Sequence, residues 1–229
     1  MESNKPIFEE RVSSVRWTSQ MDISALQQYN KYFKEKIIPN LEKMGANVIC
    51  LLQGVIGTPA NTFLQITKYP DIYIYSNAQK ELKRPEEKLV EHEQVKLFTA
   101  ITPHPKEPFP VEDYRPIYSN RTFFIDKKNI ELYGDLSYNK VWPLYEAWGC
   151  SILGLFSSLS YEVLHEIKLF AGYNSIAHWE KTRNLRGPKP DNIEENMWEE
   201  GRNAVFTRAE LTFKSNLSLM RTVYLPNEK

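Results

Sequence analysis

The chain has 229 residues, of which 41% are hydrophobic and 25% charged, and its lysines and arginines balance its aspartates and glutamates to a net charge of zero. This composition suits a globular protein with one large domain or two of about 110 residues each. Binding to nucleic acid or to an anionic membrane needs clustered basic residues, and the sequence has no such cluster. We therefore expect neither kind of partner.

The chain also lacks the features of an exported or membrane-spanning protein. Residues 1–10 carry charges where a secretory signal needs an apolar run. The longest apolar stretches, at 48–56 and 152–159, are too short to cross a bilayer. The two cysteines, Cys50 and Cys150, lie in apolar runs, which favours buried free thiols in a reducing compartment. We expect a cytoplasmic protein.

The sequence repeats itself internally. Residues 37–49 and 141–153 share the pattern apolar-apolar-Pro-x-x-Glu-x-x-Gly-x-x-apolar-apolar at an offset of 104. Two weaker matches follow in the same order. The first aligns the segment that begins at Ser76 with the one that begins at Ser175, and the second aligns the segment at Thr99 with the one at Thr222. Such self-similarity predicts two copies of one structural unit.

The elements of the first half follow from its changing periodicity. Residues 11–17 alternate as a half-buried strand does, and the apolar residues from Leu26 to Ile37 recur at helical spacing until Gly45. The further predicted elements are strands at 47–55 and 62–68, a helix at 72–84 and a strand at 95–102. The order βαββαβ is that of a ferredoxin-like unit.

The second half repeats this order. Its predicted elements are a strand at 118–125, a helix ending at Gly149, strands at 151–158 and 162–170, a helix at 175–184, an additional helix near 193–214 and a strand at 217–225. Residues 104–117 are rich in proline, which predicts an extended linker. The domains are therefore expected at 1–103 and 118–229, in an α+β fold of two tandem ferredoxin-like units.

Three segments of the second half resemble the NIPSNAP family of the dimeric α/β-barrel superfamily: residues 141–149, 161–165 and 175–183. The resemblance implies that the sheets of two such units enclose a barrel-like cavity. The two halves of one chain could supply both sheets, or two chains could associate as well, and we expect a homodimer. The superfamily includes cofactor-independent monooxygenases, cyclases and isomerases of aromatic substrates, haem enzymes and members without known activity. The resemblance therefore implies that the ligand is a hydrophobic or aromatic small molecule.

The candidate catalytic residues are two histidines and two arginines. His165 stands among apolar residues of a predicted strand, where it could act as a general acid or base or be a hydrogen-bonded structural residue. His178 could complete an acid/base pair or simply pack a helix against the sheet. Arg121 or Arg183 could stabilise developing negative charge.

A substrate pocket is predicted around Trp142, Tyr145 and Trp179, with Gln65 as the first-half counterpart of His165. No metal-ligand spacing, glycine-rich phosphate loop or serine-hydrolase motif occurs, so no cofactor or metal is predicted. The sequence favours an enzyme that uses histidine-assisted acid/base chemistry. The alternative is a non-catalytic small-molecule-binding or protein-interaction module.

Overall fold

A computed structural model describes residues 5–17, 19, 23–83, 85, 89–101, 113–160 and 163–226 of the chain. Most of the predicted linker at 104–117 lies outside these residues. The chain divides into two compact units. The first comprises Met1–Thr99 and Met220–Lys229, and the second comprises Ala100–Leu219.

The first unit is built on four antiparallel strands in the spatial order β4-β1-β3-β2. Its elements are β1 (Ile7–Val15), α1 (Ser24–Tyr32), a π-helical turn (Phe33–Ile37), α2 (Ile38–Lys43), β2 (Asn47–Ile56), β3 (Thr62–Tyr69), α3 (Ile72–Glu81) and β4 (Val90–Ala100). The helices bury Leu26, Phe33 and Leu41 against the apolar residues of one sheet face.

The second unit has its strands in the order β8-β5-β7-β6, and of β8 it includes the residues up to Leu219. Its elements are β5 (Ile117–Ile125), a 3-10 turn (Lys127–Asn129), α4 (Ile130–Leu136), a π-helical turn (Ser137–Val141), α5 (Trp142–Ala147), β6 (Ser151–Ser158), β7 (His165–Tyr173), α6 (Ile176–Lys181), α7 (Glu195–Glu210) and β8 (Thr212–Tyr224). The strands β5, β7 and β6 pair antiparallel.

Each unit interrupts its long helix in the same way. A π-helical turn precedes Pro39 in the first unit and Pro143 in the second. Proline lacks an N–H group and crowds the preceding helical turn, which favours such local widening. Each helix then stops at a glycine in the left-handed region, Gly45 at a φ of 80° and Gly149 at 84°.

The C-terminal elements differ from the predicted ones. The additional helix, expected to reach Lys214, ends at Glu210, and β8 begins at Thr212. Its buried residues are Trp198, Gly201, Ala204 and Arg208. A Cβ at Gly201 would lie only 2.7 Å from the Cβ of Leu144, so glycine lets α7 approach α5 closely. No helix in the described ranges has the length and apolarity needed to cross a membrane.

Candidate functional site

A cavity of about 340 Å³ lies between the sheet of the second unit and that unit's own helices. This position differs from the one implied by the resemblance to the NIPSNAP family, which was between two sheets. Aromatic side chains form much of its wall, namely Phe123, Tyr133, Trp142, Tyr145, Tyr173 and Phe213. Four cationic side chains also line it: Arg121, Arg183, Arg208 and Lys214. Among the described lining residues there is no aspartate or glutamate.

Arg121 projects into this cavity from β5, on the same face of the strand as Ser119 and Phe123. Its Nε atom is buried and has no hydrogen-bond partner within the described part of the chain. Burial, together with the guanidinium of Arg183, lowers the pKa of Arg121. An arginine still keeps its charge at neutral pH. The cavity therefore contains a half-buried cation whose desolvation is not offset by a carboxylate among the described lining residues.

Arg208 reaches the same cavity from the buried face of α7. Its Nη2 donates a hydrogen bond of 3.1 Å to the hydroxyl of Tyr133, and its guanidinium carbon lies 4.3 Å from the centre of that ring. The ring of Phe123 lies 5.3 Å from Arg208 and 5.4 Å from Arg121. Aromatic faces stabilise cations at such distances. They fix the positions of both guanidiniums without neutralising them.

Two tyrosines complete the polar part of the wall. Burial raises the pKa of Tyr145, although the nearby Arg183 and Arg121 oppose the shift. Burial likewise raises the pKa of Tyr173. Both phenols are therefore protonated at neutral pH, and each can donate a hydrogen bond but cannot accept a proton from a ligand.

The cavity can bind negative charge, whether already present on a ligand or developing during a reaction. Its cations are held in a largely apolar environment, where their interaction with an anion is stronger than in water. The described lining residues include no histidine and no carboxylate. They offer charge stabilisation but no ordinary general base.

The structure brings together four of the residues predicted for the site. Arg121, Arg183, Trp142 and Tyr145 all line the cavity. Trp142 and Tyr145 are buried on the face of α5 that packs on the sheet. Arg183 follows α6 and is largely exposed. It therefore lies where the cavity meets solvent.

The two histidines are not among the residues that line the cavity. His165 begins β7 rather than lying in its middle, and its Nε2 is 2.6 Å from the hydroxyl of Ser157. The Nδ1 of His178 accepts from the N–H of Asn174, so its Nε2 donates to the carbonyl of Trp148 at 2.8 Å. His178 thus connects the end of α5 to the start of α6.

Gln65 and Trp179 lie elsewhere too. Gln65 belongs to the first unit, where its Nε2 donates to the hydroxyl of Thr67 at 2.6 Å. Gln65 pairs with Arg11 of β1 in the first unit. The equivalent arginine of β5 in the second unit is Arg121, and it pairs with Leu169. His165 is therefore not the ladder counterpart of Gln65. Trp179 packs at the margin of the core.

Sequence reasoning missed Arg208, Tyr133 and Tyr173. The signal for Arg208 was its spacing, four residues after Ala204 and seven after Gly201 on one face of α7. An arginine on a helix is ordinarily solvated, and nothing in the sequence marks this one as buried.

The described residues give little support for a metal or haem site. No group of three or more histidine, cysteine, aspartate or glutamate side chains that could hold a metal ion occurs among them. Haem iron is held by histidine, cysteine, methionine or tyrosine. Only tyrosines of this set occur among the described lining residues. The hydroxyl of Tyr133 is engaged by Arg208, and burial raises the pKa of Tyr145 and of Tyr173, which disfavours the phenolate that would bind iron. The site does not fit haem, and we derive no step through it.

No family model and no curated protein matches the chain. Among solved structures it is similar to a protein named as a candidate monooxygenase from Fusobacterium nucleatum, with 13% identity, coverage of 100% of this chain and 96% of that chain, and a TM-score of 0.63. A candidate monooxygenase from Lactobacillus acidophilus is similar at 7% identity, 96% and 95% coverage, and a TM-score of 0.63. An anthrone oxidase-like protein is similar at 9% identity, 96% and 92% coverage, and a TM-score of 0.59.

At these identities the similarity shows the fold alone. The described residues form an α+β fold with eight strands, and this fold is similar to that of the three solved structures. None of the comparisons shows the NIPSNAP family.

Proposed function

We propose that the second unit is a small-molecule enzyme that binds a hydrophobic or aromatic metabolite in the cavity beneath its helices. The observation that carries the proposal is the composition of the cavity wall, which combines aromatic rings with the half-buried guanidinium of Arg121, beside which no carboxylate lies among the described lining residues. A volume of about 340 Å³ falls within the range of known ligand pockets. In a site that served only packing, an unneutralised cation would cost desolvation free energy with no compensating interaction.

The reaction type that fits best is a cofactor-independent oxidation by molecular oxygen. Loss of a proton from a phenol, an enol or an activated CH₂ group leaves negative charge on a substrate oxygen, and nearby cations stabilise that charge. When CH₂ becomes a carbonyl, one oxygen atom of O₂ enters the product and the other leaves as water. No external reductant is needed. The two candidate monooxygenases and the anthrone oxidase-like protein share the fold, which makes this chemistry the first to test.

A non-catalytic binding module is the second candidate, because no histidine or carboxylate lies among the described lining residues. In an enzyme of the kind proposed, the substrate must be acidic enough to lose its proton to water or buffer within the field of the arginines. A binding module has no such requirement. His165 and His178 have no part in either candidate.

Oxygen uptake separates the two candidates. Anthrone and 1-naphthol are offered to the full chain in an oxygen electrode, and binding of both is measured by quenching of tryptophan fluorescence. The enzyme reaction predicts oxygen uptake above the rate of autoxidation, reduced at least tenfold by Arg121→Met and unchanged by Arg186→Met, a substitution at an exposed arginine outside the cavity. Binding without uptake supports the module. Absence of both binding and uptake contradicts the proposed function.

We also infer that the two units are tandem copies of one ferredoxin-like unit. The shared strand order, the π-helical turn before each proline and the left-handed glycine after each helix support this inference. The homodimer expected from the sequence remains part of the proposal. The molar mass of the protein in solution, measured by light scattering after size-exclusion chromatography, would test it.

A further inference from the structure

The ladder position of Arg121 has a counterpart in the first unit. In β1, Ile7 pairs with Tyr69, and Arg11 lies four residues later. In β5, Ile117 pairs with Tyr173, and Arg121 lies four residues later. Each arginine thus stands at the same place in its own sheet.

Around Arg11, the first unit supplies the anions itself. Its Nε donates to the carboxylate of Glu9 at 2.6 Å, its Nη1 donates to Glu93, and its Nη2 donates to Gln79 at 2.9 Å. Glu9 also accepts from the side-chain amide of Gln79 at 2.8 Å. Burial opposes the charge of Arg11, but these two carboxylates outweigh it and raise its pKa.

Around Arg121, the position of Glu9 is occupied by Ser119, two residues earlier on the same strand face. Ser119 brings a hydroxyl instead of a carboxylate, and the space that the first unit fills with its ion-pair network is part of the cavity in the second. The pKa of Arg121 is lowered where that of Arg11 is raised. The two sites thus differ in charge: carboxylates lie beside Arg11, and none lies beside Arg121 among the described lining residues.

We propose that the natural ligand of the cavity is a hydrophobic carboxylic acid, bound as its carboxylate against the guanidinium of Arg121. The carboxylate takes the place that Glu9 holds beside Arg11. This inference rests on the proposed function, since it specifies the substrate class of the same site.

The rest of the cavity fits the body of such a ligand. Trp142 and Tyr145 offer flat apolar surface opposite the sheet, and Ile152 and Leu169 line the sheet side. A rigid aromatic acid can therefore place its charged end at Arg121 and its rings between helix and sheet. Arg183, at the solvent side, attracts the anion as it enters.

A matched pair of probes tests this proposal. Binding of 2-naphthoate and of its neutral isostere 2-naphthamide to the full chain is measured by titration calorimetry at pH 7. We expect the acid to bind at least tenfold more tightly than the amide. The ratio should fall below threefold in Arg121→Met and stay unchanged in Arg186→Met, because a carboxylate gains from a buried guanidinium and an amide does not.

Each other outcome has a definite meaning. Equal affinity for acid and amide in the unaltered protein overturns the carboxylate proposal while leaving a hydrophobic site intact. Preference for the acid that survives Arg121→Met shows that another group holds the charge, which also overturns it. Failure of both probes to bind contradicts the proposed function as well. The ratio in the unaltered protein decides even where the variant does not fold.

Discussion

Arg11 and Arg121 stand at the same ladder position of two similar units, and they differ in what surrounds them. Arg11 is 4% exposed and held by Glu9 and Glu93. Arg121 faces aromatic rings, two other arginines and open space. The same scaffold therefore supports either a filled ion-pair network or a cavity with a free positive charge.

The difference shows how little sequence change separates a structural site from a binding site. A buried ion pair contributes little net stability, but removing one partner leaves a costly unpaired charge. The first unit avoids that cost with its own carboxylates. The second unit bears the cost in its unliganded state, and an anionic ligand would relieve it. The following experiments test this contrast, beginning with the largest expected effect.

Substitution of Arg11 should destabilise the protein strongly. Arg11→Met leaves Glu9, which is 1% exposed, without its cation, and loss of one partner from a buried pair costs about 3–5 kcal/mol. Chemical denaturation monitored by tryptophan fluorescence gives the change in free energy of unfolding. A loss below about 1 kcal/mol would mean that the network around Arg11 is not what holds the first unit's buried charges.

Introducing a carboxylate into the second unit should reproduce the first unit's arrangement. Ser119→Glu places an acid beside Arg121, and a hydrogen bond to a charged group is worth about 1.5–3 kcal/mol. We expect a higher free energy of unfolding and loss of 2-naphthoate binding. Ser119→Gln, of the same size but uncharged, is the control and should not gain that stability. Unchanged naphthoate affinity in Ser119→Glu would contradict the equivalence of the two sites.

Removing Arg121 should have the opposite sign to removing Arg11. Arg121→Met eliminates a half-buried charge that lacks a carboxylate among the described lining residues, so the unliganded protein should gain about 1 kcal/mol. The thermal midpoint without ligand, compared with that of Arg11→Met, gives the sign directly. A marked loss of stability would show that Arg121 is structural.

The cysteines should behave alike in the two units and so provide a baseline. Burial raises the pKa of Cys50 and of Cys150 to about 12, well above the usual range of a thiol. Well below pH 9 both thiols are protonated in the folded and in the unfolded chain, and stability is unaffected. Between pH 9 and 12 the unfolded chain releases these protons first, so stability falls.

Thiol reactivity measures this directly. With a disulfide reagent at pH 8, neither cysteine should react until denaturant is added. Rapid labelling of Cys150 alone would show that solvent reaches the core of the second unit beyond the cavity.

The sequence predicted most of the fold because periodicity and turn residues determine it locally. The strand at 151–158 is confirmed in both bounds, and β2, β3 and β5 begin or end within one residue of expectation. The strand β4 starts five residues early, at Val90, because charged residues such as Glu91 and Glu93 are tolerated on a strand with exposed positions. The charged residues at the start of β4 break the alternation of apolar and polar residues from which a strand is predicted.

The site was only partly predictable, because a cavity depends on how elements pack. Arg121, Trp142 and Tyr145 lie on strongly patterned segments, and all line the cavity. Arg208 required knowledge of the close approach at Gly201, which no periodicity gives. The importance of Ser119 appears only when the two strand ladders are compared residue by residue.

A crystal structure of the protein with 2-naphthoate would show whether the guanidinium of Arg121 holds the ligand carboxylate. We expect a carboxylate oxygen within about 2.7–3.2 Å of a guanidinium nitrogen of Arg121, with the rings against Trp142. Naphthoate bound with its carboxylate turned away from Arg121 and towards solvent, or seated outside the cavity, would contradict the carboxylate proposal.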